Sequence, residues 1–227
     1  MIEIDLDQTS VRDLNDRLHR LPPDTNERAW HLVNPKGRHA IAVGLDRPIS
    51  ITVEGHVGFY CGGMNKQAEI TIDGHAGPGV AENMMSGMVR VRGNASQSAG
   101  ASARGGLLII EGDTSSRCGI SMKGADIVVG GSVGHMSAFM AQRGNLVVCG
   151  DAGRSLGDSI YEARLFVRGA VDSLGADCIE KELRAEHLDD LARLLGEAGF
   201  RIDPREFKRY GSARRLYNFN VDHAAAY

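Results

Sequence analysis

Ile51-Thr52-Val53-Glu54-Gly55-His56-Val57-Gly58 is the first statement of a phrase that the chain repeats seven times. Its glycine recurs at Gly55, Gly74, Gly93, Gly112, Gly131, Gly150 and Gly169, a spacing of 19 throughout (74 − 55, 93 − 74 and onward). A fixed period of this length signals a solenoid. Numbered from the glycine, position −4 holds Ile51, Ile70, Val89, Leu108, Ile127, Leu146 and Leu165. Position −2 holds Val53, Ile72, Val91, Ile110, Val129, Val148 and Val167. Two aliphatic columns two residues apart lie on one face of a strand, whereas a helical face recurs at three and four residues.

Downstream the residues stay small, with Gly62, Ala81, Gly100, Gly119, Ala138, Gly157 and Ala176 at position +7. Small residues at fixed places imply tight corners, positive φ, or close approach of neighbouring coils. The expected fold is all-β: a right-handed parallel β-helix, single-stranded, of seven 19-residue coils with short α-helical appendages at both ends. Coils stacked about 4.8 Å apart make a rod of roughly 30 Å. One coil cannot bury its own aliphatic face, so the stack buries it.

The expected organisation is a strand–helix cap and connecting loop over 1–36, the solenoid over 37–178, and an amphipathic helix with a tail over 179–227. Residues 2–6 alternate apolar and acidic as a short strand. Ser10 then starts a helix bearing Val11, Leu14, Leu18 and Leu21, stopped by Pro22-Pro23. Residues 24–36 read as a loop and 39–43 as a strand entering the solenoid.

The outward face changes character along the rod. Position −3 reads Thr52, Thr71, Arg90, and then Ile109, Val128, Val147, Phe166. The last four form an aliphatic ladder that needs a cover. Two covers compete. One is the chain's own amphipathic segment 179–196, with Leu183, Leu188, Leu191, Leu194 and Leu195 and an end near Gly196 and Gly199; that helix could instead cap the open end of the stack. The other is a partner subunit, and the expected partner interface is then Ile109, Val128, Val147 and Phe166.

Chemistry-bearing patterns are sparse. His56 and His75 share position +1 on successive coils, which admits a two-histidine metal site. The column continues Asn94, Asp113, Ser132, Asp151, and reads more simply as a polar turn-forming ladder. His135 has no carboxylate in register. Gly130-Gly131-Ser132-Val133-Gly134 imitates a phosphate loop but lacks the following helix of a βαβ unit. Cys61, Cys118, Cys149 and Cys178 have no metal-binding spacing and read as reduced thiols filling small spaces. Strict periodicity leaves no inserted loops for a polysaccharide-cleaving groove. No catalytic, cofactor-binding or metal residue is expected on this chain.

A net charge of −3 and the absence of a long apolar run point to neither nucleic acid nor membrane as a partner, and the acidic start Met1-Ile2-Glu3-Ile4-Asp5 suggests a cytoplasmic protein. The tail pairs basic and aromatic residues, Phe207-Lys208-Arg209-Tyr210 and Arg214-Arg215-Leu216-Tyr217-Asn218-Phe219, as a segment laid over protein would.

The phrase Val53-Glu54-Gly55-His56-Val57-Gly58-Phe59-Tyr60-Cys61-Gly62 resembles the GxGxG β-helix domain at the C-terminal end of the glutamate synthase large subunit, over about residues 34–178. It is similar also to a subunit of formylmethanofuran dehydrogenase. With its strand–helix preface and its Arg209-to-Phe219 tail, the chain most resembles the β-helix subunits of bacterial N-methylglutamate synthases (methylamine–glutamate N-methyltransferases). The resemblance implies a transferase complex of methylamine metabolism. Its partners would be a glutamine amidotransferase-like subunit and a glutamate-synthase-like subunit carrying FMN and an iron–sulfur cluster. It implies a scaffold role for this chain, with glutamate formation from ammonia as the neighbouring possibility.

Overall fold

The computed structural model describes residues 1–213. The second basic–aromatic run of the tail, from Arg214 onward, lies outside the described residues. Among these residues eleven strands form one sheet. The strands are β1 (Ile2–Asp5), β2 (Ala29–Val33), β3 (Ser50–Val53), β4 (Glu69–Ile72), β5 (Met88–Val91), β6 (Leu107–Ile110), β7 (Lys123–Val129), β8 (Arg143–Val148), β9 (Arg164–Val167), β10 (Cys178–Lys181) and β11 (Lys208–Ser212). From β1 to β9 each strand pairs in parallel with the next, and from β3 to β9 the main register is 19 residues. The seven expected coils are present, as are two short helices, α1 (Val11–His19) and α2 (Ala185–Ala198).

Both aliphatic columns point inward: every residue at positions −4 and −2 is at most 1% exposed. Positions +2, +6 and +10 complete the lining with smaller residues such as Ala76, Cys61 and Met84, all in one continuous core. Between those inward residues the backbone does something that side-chain size does not announce. In six successive coils, positions +5, +7 and +9 are all left-handed, with φ from 53° (Met140) to 69° (Gly79). Glycine or alanine at +7 was legible as a positive-φ position. Tyr60, Arg117, Met136 and Met64 at +5 and +9 were not, because bulky residues adopt that conformation only when surrounding structure over-determines it. The over-determination is visible in hydrogen bonds between coils: Tyr60 donates to Pro78 O at 2.8 Å and Met64 to Glu82 O at 2.8 Å, while Ala81 donates back to Cys61 O at 2.9 Å.

Two boundaries differ from the sequence reading. Residues 24–36 contain β2, which pairs with β3 by Trp30↔Ile51 and Leu32↔Val53, a register of 21. Residues 39–43 form no strand, although Ile41 and Ala42 are fully buried in the core. An irregular coil therefore precedes the seven, and its different length hides it from a search for period 19. Coil seven also loses a residue beyond its strand, since Leu174 pairs with Leu156 at a spacing of 18.

Each end of the stack is closed. At the start, Ser10 Oγ accepts from Asp13 N and caps α1, which buries Leu14 and Leu18 in the end of the coil interior. At the far end, β11 runs antiparallel to β9, with Tyr210 opposite Leu165 and buried in the interior core. The chain's own segments thus cover the edges that a solenoid must protect.

Candidate functional site: the covered flank of the rod

The ladder Ile109, Val128, Val147 and Phe166 is fully buried. Its cover is the chain's own helix α2, which contributes Leu191, Leu194, Leu195 and Ala198, with Phe207 completing a second core outside the coil interior. The expectation that these four residues form a partner interface is corrected accordingly: no surface is left on them for another subunit to meet. The physical reason is length and attachment. A 14-residue helix is about 21 Å long, and four coil spacings measure about 19 Å. A tethered helix that fits the patch outcompetes a free partner through its high effective concentration.

The helix begins later and ends later than its leucine pattern suggests. Residues 178–181 are β10, paired with β11, and the helix runs through Gly196 to a left-handed C-cap at Gly199. Its C-terminus meets Arg90, the last polar residue of position −3. Arg90 donates to Ala198 O at 3.0 Å and to Glu197 O at 3.3 Å, and pairs with Glu111 at 3.0 Å. A guanidinium on the last carbonyls satisfies orphan acceptors and complements the helix dipole. Arg90 therefore marks where the apolar ladder stops and the helix stops with it. Position −1 makes room nearby: a Cβ on Gly130 would lie 2.7 Å from the Phe200 ring.

The helix N-terminus is held by His187, which is 5% exposed. Its Nδ1 accepts from Arg184 N at 3.0 Å. Burial pulls its pKa below the ordinary histidine value, and Arg209 adds to that, with Glu186 opposing. Flanking ion pairs, Arg164–Asp190 at 2.7 Å and Arg193–Asp126 at 3.5 Å, fix the helix along the rod.

The column of His56 and His75 is the polar ladder, and its partners are backbone. His75 N donates to His56 Nδ1 at 2.9 Å, Asn94 N to His75 Nδ1 at 2.8 Å, and Asp113 N to Asn94 Oδ1 at 2.9 Å. Ser132, Asp151 and Ala170 continue the series onto Asp113, Ser132 and Asp151. Each side chain lies over the glycine of the next coil, so those glycines are required by close approach. A Cβ on Gly131 would sit 2.1 Å from Asp113 Oδ1. With both Nδ1 atoms committed to amides, the stacked imidazoles, 4.7 Å between centroids, serve the stack. Among the described residues no group of three or more His, Cys, Asp or Glu is placed to hold a metal ion, and no helix is long and apolar enough to cross a membrane. His135 lies on the surface, exposed, and the phosphate-loop imitation at Gly130–Gly134 is one more corner of the same stack.

Protein GlxC of Rhizobium meliloti (strain 1021) is 61% identical over 225 residues, covering 99% of each chain. The chain belongs to the GlxC family. No family model matches it, and no solved structure does.

Proposed function

We propose that this GlxC-family chain is the scaffold subunit of a glutamate-synthase-like complex, and more finely of one that joins methylamine and glutamate into N-methylglutamate. In this reading the rod holds an amidotransferase-like subunit and a flavin and iron–sulfur subunit at a fixed separation. Chemistry belongs to those partners, with FMN and the iron–sulfur cluster on the second. The observation that carries the proposal is the construction of the coils. Their polar column is spent on amides of the next coil, and their apolar flank is spent on the chain's own helix. Side chains used this way make a stiff spacer. The resemblance of the repeated phrase to the glutamate synthase β-helix domain supplies the complex.

A partner then meets residues other than the buried ladder. The outer face of α2 offers Glu186, Asp189, Arg193 and Glu197, all exposed, and the coils offer Phe59, Met64 and Met140, each at least 40% exposed. The test is affinity purification of the tagged chain from its native host. Companion chains arriving in fixed ratio with flavin and iron–sulfur absorbance, and methylamine-dependent N-methylglutamate formation by the assembly, are the expected result. A pure single chain that turns over substrate unaided would overturn the scaffold reading. Ammonia used in place of methylamine would leave the scaffold and change the product to glutamate.

A further inference from the structure

At the C-terminal end of the sheet the strand order is β9, β11, β10. Register sets Arg209 opposite Phe166 of β9 on one side and opposite Lys181 of β10 on the other. Residues directly opposite share a sheet face, and Arg164 stands two residues before Phe166, so Arg164, Arg209 and Lys181 project from one face of three adjacent strands. Like charges opposite or diagonal to each other destabilise a sheet. These three converge on one cleft of about 240 Å³, whose lining includes Tyr161 and a single carboxylate, Glu162.

The chain compensates them only in part. Arg164 holds Asp190 at 2.7 Å. Arg209 donates its Nε to Glu182 O, a neutral carbonyl, at 2.8 Å. Among the described residues the Lys181 ammonium has no hydrogen bond or ion pair. The Arg209 guanidinium is held below the ordinary arginine pKa by burial, and further by Arg164 and Arg184, with Glu186 and Glu182 opposing. Arg164, Arg209 and Lys181 against Asp190 and Glu162 leave one net positive charge in a half-enclosed space, where screening by water is reduced.

We propose that this cleft is a binding site for a small oxyanion, a phosphate or a carboxylate group, seated between Arg164, Arg209 and Lys181. An anion there converts a repulsive row into charge-assisted hydrogen bonds, and two guanidinium groups suit the planar, forked geometry of such an acceptor. The cleft is smaller than the usual range for drug-sized ligands, so a free ion or one acid group of a short metabolite fits its scale. Glu162 at the rim disfavours a polyanion. The site stands independently of the complex proposed above.

The test uses the purified full chain, titrated calorimetrically with inorganic phosphate and separately with glutarate, ionic strength being held constant with chloride. Saturable binding of at least one is expected, and which of the two binds identifies the acid group. Lys181→Gln should weaken it about tenfold or more, as loss of one charged hydrogen bond does. Lys181→Glu should abolish the response while melting in chloride at or above the wild-type temperature, because it relieves the opposed cations. Melting temperatures that follow ionic strength alone, or wild-type affinity in a folded Lys181→Gln variant, overturn the proposal. So does a response only to an acidic peptide, which would make the row a protein contact.

Discussion

Two glycines separate the uses of that residue in this chain. Gly131 lies beneath the Asp113 carboxylate, which accepts Ser132 N at 2.7 Å. Gly131→Ala should cost on the order of 2–3 kcal/mol, from a Cβ forced against the ladder and a strained hydrogen bond. Urea denaturation measures it. Gly196 is a helix-interior glycine with nothing within 4 Å of its Cβ position. Gly196→Ala should stabilise by about 0.5–1 kcal/mol, since alanine restricts the unfolded chain and fits the helix. Equal effects of the two substitutions would contradict the geometry. Thiols make a third case at this scale. Burial pushes Cys61 and Cys118 up to about 12 and Cys149 and Cys178 up to about 11. At pH 8 the native chain should take up almost no iodoacetamide and the denatured chain four equivalents, read by intact mass.

At the scale of elements, α2 and the flank beneath it are one unit. Phe166→Ala should cost about 3–5 kcal/mol, whereas Thr71→Ala in the same column, at the polar end, should stay within about 0.5 kcal/mol. Calorimetric melting distinguishes them. The anchor of α2 also carries a pH dependence. His187 has a folded pKa below its unfolded value near 6.5. Its contribution is therefore complete above about pH 6.5 and is lost as pH falls through the lower folded value, where protonation removes the acceptor for Arg184 N. Melting temperature should decline between pH 7 and pH 5, and His187→Gln should flatten that part of the profile. A variant with the wild-type slope would assign it elsewhere.

For the whole molecule, the division between legible and hidden follows from range. The glycine period and the two aliphatic columns determined the coil, its inward face and its stacking, because identical units in register must bury the same positions. The polar ladder at His56 and His75 was legible for the same reason. Tyr60 and Met64 in left-handed conformation were hidden, since no local preference asks for it and only bonds from adjacent coils impose it. The irregular first coil was hidden by its register of 21. That the ladder Ile109 to Phe166 needs a cover was written in the sequence as a change from polar to apolar at position −3. Which body supplies that cover was decided only in three dimensions. The leucines of α2 could have capped the end of the rod, met another chain, or folded back. The geometry of β10 and β11, the match of helix length to four coils, and Arg90 waiting at the helix C-terminus select the third. The sequence alone determined a rod with an apolar flank; the tertiary structure decided that the rod closes its own flank, because that choice depends on where a distant segment can reach.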